Sequence, residues 1–265
     1  AGGVYTADHR LNVDGSPETP IRLLGAENFA SRFASSTLTV AGDWVIVEGL
    51  AFEGGSARCG VAIEVNRNSV VANRFRGNLG KTANPAVLID GGEENWIAFN
   101  DLSLPEARGI VIDFAPPRGR GNVIEYNFLH DVPRSGRSQI NGTEGIQVGK
   151  WGGDAPDLLS ETLVNSNLLV RWDKDDEPLG VKGTGASNTV EHNYILEHPD
   201  GSKGIVIMGD DHRVAGNHLD GKVLRLDAGS VTMDTIEFGN PDVPAARDAE
   251  LEANTFSNGA FILIG

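Results

Sequence analysis

The feature that most constrains this chain is a repeated hexad that begins and ends with asparagine. Asn68-Ser-Val-Val-Ala-Asn73, Asn95-Trp-Ile-Ala-Phe-Asn100, Asn122-Val-Ile-Glu-Tyr-Asn127 and Asn188-Thr-Val-Glu-His-Asn193 share it, followed by Arg74-Phe75, Asp101-Leu102, Phe128-Leu129 and Tyr194-Ile195. Variants with one Asn replaced are Thr162–Asn167, His212–Asn217 and Ala249–Asn254, and Trp44–Gly49 is an earlier relative. The second Asn recurs at 73, 100, 127, 167, 193, 217 and 254, in steps of 27, 27, 40, 26, 24 and 37. Between hexads lies a second strand-like segment usually opened by Gly, as in Gly60-Val-Ala-Ile, Gly109-Ile-Val-Ile, Gly145-Ile-Gln-Val and Gly204-Ile-Val-Ile. A period near 25 residues with two or three short strands per turn predicts a right-handed parallel β-helix, an all-β solenoid of about ten coils stacked about 4.8 Å apart. A single such domain accounts for residues 1–265.

In that fold the asparagines have a structural reading. Asn tolerates a left-handed turn and bonds neighbouring amides, and equivalent Asn residues in stacked coils form ladders. The alternation predicts that Val70, Ile97, Ile124, Val190 and Val214 point into the core. The long steps leave 128–166 and 218–253 with excess chain, expected as loops that shape a cleft. Trp44 and Trp96 lie in repeat segments and are expected to pack, and Cys59 is expected in the core. The chain closes on a strand-like Ile264-Gly265 with no polar cap, so either a covering loop or further chain is expected there.

Composition narrows function. Lys plus Arg is 22 against 37 Asp plus Glu, a formal net charge of −15. No basic stripe is available to neutralise phosphates, which argues against nucleic acid as a partner. One cysteine excludes an internal disulfide and a Cys-based zinc site, and no apolar run approaches a transmembrane span. The first residues lack a signal-peptide apolar region, so a secreted or periplasmic protein is expected here in its processed form.

Polar chemistry concentrates between 134 and 182, in Arg134-Ser-Gly-Arg137, Asn141-Gly-Thr-Glu144 and Asp175-Asp-Glu177-Pro-Leu-Gly-Val-Lys182. Asp175 and Glu177 are two apart and share one side of an extended segment. One reading is a surface salt bridge from Lys182 to one of these acids. The other is a site of hard oxygen ligands for a cation beside a basic catalyst. Gly209-Asp210-Asp211-His212 is a second acidic candidate, of the kind a glycoside hydrolase would need, although adjacent Asp residues alternate sides on a strand.

From about Thr19 to about Asn217 the chain resembles polysaccharide lyase family six, the alginate lyase and chondroitinase B group. The resemblance is carried by Thr19-Pro-Ile-Arg-Leu-Leu-Gly-Ala-Glu-Asn28, the Gly42–Gly55 segment, Asn122–Val132, Asn141–Gly149, Asp175–Gly183 and Asn188–Asn193, in that order. It implies a calcium-assisted β-elimination on an acidic, uronate-containing polysaccharide, alginate foremost. It also implies Asn141, Asp175 and Glu177 as calcium ligands and Lys182, five residues after the second acid, as the base. Where the family carries a catalytic Arg, this chain has Met208, so the proton donor falls to Arg213, with Lys203, His192 or water as other nominees. Arg118, Arg120, Arg134, Arg137 and Lys150 are expected to hold sugar carboxylates. Trp151 and Trp172 are expected to stack on sugars, and Lys203 and His212 to touch substrate. The competing expectations are a carbohydrate-binding β-helix without turnover and a β-helix glycoside hydrolase acting on polyuronate.

Overall fold

A computed structural model describes residues 2–54, 59–77, 84–103, 108–113, 119–132, 144–149, 161–172, 178–182, 187–196, 203–208, 211–220, 223–226, 250–257 and 261–264. Among these residues the chain winds as a parallel β-helix. Three parallel sheets of ten, ten and nine strands run its length, here called A, B and C. Each coil visits C, then A, then B, as in Ser69–Val71, Arg74–Arg76 and Pro85–Asp90. One short 3-10 turn, Glu27–Phe29, is the sole helical element among the described residues.

The passage from C to A is the most regular part. After a first passage of six residues (25–30), it is two residues in each described coil, the first left-handed and the second, from 73 onward, Asn. The first positions are Gly49, Ala72, Phe99, Tyr126, Ser166, His192, Gly216 and Ala253, with φ between 51° and 71°. A left-handed non-Gly residue costs about 1–2 kcal/mol, and the neighbouring Asn offsets it by hydrogen bonding. Asn127 Oδ1 accepts from the Asn100 backbone N–H at 3.1 Å and from Asn100 Nδ2 at 2.9 Å. Its own Nδ2 donates to Ile97 O at 2.9 Å, Glu125 O at 3.0 Å and Asn167 Oδ1 at 3.0 Å. The same pattern runs through Asn73, Asn100, Asn167, Asn193 and Asn217 to Asn254.

A second ladder enters sheet C through Asn68, Asn95, Asn122, Thr162, Asn188 and His212. Here the link is a backbone N–H to the side-chain oxygen one coil on, at 2.9 Å for Asn68 to Asn95 and 3.0 Å for Asn95 to Asn122. This ladder is poorer. Thr162 Oγ1 and the Nδ2 groups of Asn68, Asn95 and Asn188 are buried without hydrogen-bond partners.

Val70, Ile97, Ile124, Val190 and Val214 stack in register inside the coils, each essentially inaccessible. Leu102, Leu129, Leu169 and Ile195 do the same from sheet A. Cys59 is buried, beside Ala62, Leu88 and Val111. The tryptophans depart from expectation. Trp96 takes an outward position of its strand, is 37 % exposed, and donates Nε1–H to Glu125 at 2.8 Å. Trp44 occupies a left-handed turn (φ 58°) with the Arg67 guanidinium 5.6 Å from its ring centre.

Candidate active site

Of the polar region between 134 and 182, Glu144, Gln147 and Lys182 belong to sheet B and its margins. Along its strands Val87, Ile110, Ile146, Leu179 and Ile205 form one inward row, and Ile89, Ile112, Val148, Val181 and Ile207 the other. The residues between and just after these rows therefore face outward. Backbone bonds from Gly149 N to Ile112 O, Lys182 N to Val148 O and Met208 N to Val181 O put Asp113, Gly149, Lys182 and Met208 at one position of four successive coils.

Lys182 directly follows the strand Leu179–Val181 and is only 5 % exposed. Its Nζ donates to Glu144 Oε1 at 2.5 Å. Glu144, 4 % exposed, stands at the mouth of the strand Ile146–Val148 one coil earlier. Gly180, at the register position of Gln147, puts no side chain on the outer face between them. The salt bridge expected from Lys182 to Asp175 or Glu177 lies outside the described residues; the described pair, with Glu144, is buried, and a buried charge holds only with such a partner. Arg108 approaches from the preceding coil, with Nε 3.2 Å from Glu144 Oε2. That contact is an ion pair without hydrogen-bond alignment, since both atoms lack a hydrogen-bond partner. Gln147 donates Nε2–H to Gly149 O at 2.5 Å, and its Oε1 is buried and unpartnered. Two oxygens of one short segment, Glu144 Oε2 and Gln147 Oε1, therefore keep open acceptor capacity beside Lys182. That donor chemistry fits a hard cation, which takes carboxylate and amide oxygens.

Of the expected calcium ligands, Asn141, Asp175 and Glu177 lie outside the described residues, as do Arg118, Arg134, Arg137, Lys150 and Trp151. Trp172 ends the sheet A strand Leu168–Trp172 and Lys203 opens the sheet B strand Lys203–Ile207. Their backbones alone are described.

Two nominees are placed elsewhere than expected. Arg213 belongs to sheet C, not to the sheet of Lys182. Its guanidinium is held by Glu191 at 2.5 Å, Glu252 at 3.1 Å and Glu250 at 3.7 Å. Hydrogen bonds to Glu252 and then Glu191 hold its pKa above the ordinary arginine value. This makes it a poor proton donor as well as a distant one. His212 is 1 % exposed and serves the ladder. Its Nδ1 accepts from Asn188 N–H at 3.1 Å, as an Asn oxygen would, and its Nε2 donates to Met208 O at 2.7 Å. Both of its ring nitrogens are thus committed to backbone groups of its own ladder and turn. His192 stands on the C-to-A corner and Arg120 pairs with Glu161 at 2.6 Å, both outside sheet B's outer face. Of the acidic pair 210–211, Asp211 is an exposed left-handed turn residue and Asp210 lies outside the described residues.

Met208 stands in the row of Lys182, one coil on, buried against Val206. The position at which an Arg was expected is therefore adjacent to Lys182, and its thioether has no proton to give. Glu144 was quoted in the sequence reading without a role. Its signal was its place just before a Gly-opened strand, where sheet B turns its outer face toward the next coil.

No family model and no curated protein matches the chain at the sequence level. Solved structures do. A PL6 family polysaccharide lyase from Pseudopedobacter saltans superposes with a TM-score of 0.60 at 19 % identity, over 99 % of this chain and 75 % of that one. An alginate lyase from Paenibacillus sp. str. FPU-7 gives 0.58 at 14 %, over 98 % and 88 %. The PL6 family alginate lyase AlyGC gives 0.58 at 18 %, over 83 % of this chain and 35 % of its own. At such identities the likeness is one of fold, and the chain is a parallel β-helix of the form seen in PL6 polysaccharide lyases.

Proposed function

We propose that the protein is a polysaccharide lyase that cleaves a uronate-containing polymer by β-elimination, with alginate as the leading substrate and Lys182 as the base. The observation that carries the reading is the buried Lys182–Glu144 pair on the outer face of sheet B, in a fold shared with lyases of that kind.

The proton to be removed, at C5 of a uronate, is α to a carboxylate and too weakly acidic to leave unaided. Asn141, Asp175 and Glu177 would hold calcium, which when bound would neutralise that carboxylate. Lys182 Nζ must present a lone pair, so its own proton has to move first. Glu144 Oε1 is the acceptor already in place at 2.5 Å. Burial excludes water from the pair and keeps the amine aimed by one short hydrogen bond. The leaving glycosidic oxygen takes its proton from water or from Lys203, which opens the neighbouring strand of the same sheet.

Met208 supports a second reading, a β-helix that binds polyuronate without cleaving it. One assay separates these. The protein is incubated with guluronate-rich and mannuronate-rich alginate, dermatan sulfate and polygalacturonate, and unsaturated ends are followed by near-ultraviolet absorbance. The lyase reading expects unsaturated ends from at least one polymer, lost on chelation and restored by calcium. Reducing ends without unsaturation would mean hydrolysis, and calcium-dependent binding without new ends would mean a binding protein.

A further inference from the structure

The C-to-A corner and the sheet C strand leading into it carry three aromatic side chains, Phe99, Tyr126 and Trp96, that no core and no catalytic role accounts for. Phe99 and Tyr126 are 53 % and 48 % exposed. They occupy left-handed turn positions (φ 57° and 54°) that Gly49 and Gly216 fill elsewhere without strain. Bulky residues at positive φ are outliers, and such strain persists where something else requires it. Here both strain and apolar exposure are spent on two rings in adjacent coils.

The rings are stacked, 5.2 Å between centroids and 8° from parallel. Trp96 meets Phe99 edge-on at 6.1 Å and 89°, and its bond to Glu125 fixes its orientation. The equivalent residues on either side of the pair are small, Ala72 before Phe99 and Ser166 after Tyr126. Each coil adds about 4.8 Å, so the outward face of each ring looks over a shallow step. The rim supplies hydrogen-bonding groups. Glu125 and Asn165 face outward on adjacent strands, with Asn165 Nδ2 3.4 Å from Glu125 Oε2, and Ser166 Oγ lies beside Asn165 Oδ1 at 3.0 Å.

We propose that Phe99, Tyr126 and Trp96 form a stacking platform for the uncharged pyranose rings of a polysaccharide, with Glu125 and Asn165 bonding the ring hydroxyls. The flat C–H face of a pyranose matches an open aromatic face, and exposed apolar patches with a polar rim mark binding sites. The charge selects the sugar class. Glu125 puts a carboxylate within a Debye length of any bound ring, on a chain of net charge −15. It accepts from hydroxyls and repels uronates. The platform is thus distinct from the sheet B site in place and in ligand, and does not depend on the lyase reading.

The test is electrophoresis in native gels containing hydroxyethylcellulose, galactomannan or alginate, with Phe99→Ala/Tyr126→Ala as the variant. Alanine is accommodated there, since Ala72 and Ala253 hold the same turn at φ 53° and 51°. At least one neutral polymer should retard the native protein, with retardation at least about tenfold weaker in the double variant and retained in Lys182→Ala. The proposal is overturned if neither neutral polymer retards the native protein, or if the double variant is retarded equally. It is also overturned if the patch instead mediates a concentration-dependent dimer that the double variant abolishes.

Discussion

At the corner between sheets C and A, seven successive coils place asparagine at one position, and each hands two hydrogen bonds to the next. Across the outer face of sheet B, four successive coils place Asp113, Gly149, Lys182 and Met208 at one position. The strands beneath are regular in both, and the inward rows are Val, Ile and Leu, with Phe33, Phe52 and Phe75 in the early coils of sheet A. What differs is the demand on the outward side. At the corner a buried turn has backbone groups to satisfy in every coil, and one residue type solves that problem repeatedly. On sheet B no such repeated demand exists, so each coil is free to differ. A buried ion pair and unpartnered oxygens appear where the repetition stops.

The largest effect should come from breaking the corner at its middle. Asn127→Ala removes the acceptor of the Asn100 N–H and Nδ2 and the donor to Ile97 O. Each buried group left unmet costs about 1–3 kcal/mol, so a loss of about 3–5 kcal/mol is expected in the urea midpoint. The poorer ladder should be less sensitive. His212→Ala leaves Asn188 N–H and Met208 O without their partner and should cost about 1–3 kcal/mol. His212→Asn, restoring the residue used elsewhere in that ladder, should recover most of it, and neither should alter a sheet B activity once folded. The smallest effect sharpens the contrast in the opposite direction. Thr162 sits in the ladder between Asn122 and Asn188 with its hydroxyl buried and unpartnered. Thr162→Asn should raise the urea midpoint by about 1 kcal/mol in stability. No gain there would mean that the ladders do not carry the energy ascribed to them.

The same contrast decides what could be read from sequence. The hexads, their register and the inward Val70, Ile97, Ile124 and Val190 were legible because a repeated physical problem leaves a repeated residue. Both asparagines of each hexad were visible, although their unequal bonding was not, since it depends on turn geometry. Lys182 was legible through its spacing from two acids. Both acids lie outside the described residues; its described partner, Glu144, was not legible, because a contact across 38 residues arises from coil stacking and has no local pattern. Arg213 and His212 were misplaced for the same reason. Their proximity in sequence to the expected Arg position hides a change from sheet B to sheet C at Asp211. Trp96 was read as packing because its neighbours alternate into the core, and the phase of that alternation puts it outside.

The central claim is that Lys182 removes a proton from a uronate, and the rate of unsaturated-end formation tests it most directly. Native protein and Lys182→Ala are compared on whichever of the four polyuronates the native protein cleaves, with calcium present and the urea midpoint of each recorded. Removing Lys182 leaves buried Glu144 with Arg108 but without its hydrogen-bonded cation, so some loss of stability is expected. Glu144→Gln combined with Lys182→Ala relieves that charge and keeps the comparison folded. Loss of a general base predicts a fall of about 10²–10⁴-fold in rate in both variants. Cleavage at the native rate by a folded variant lacking Lys182 would contradict the mechanism while leaving the fold untouched.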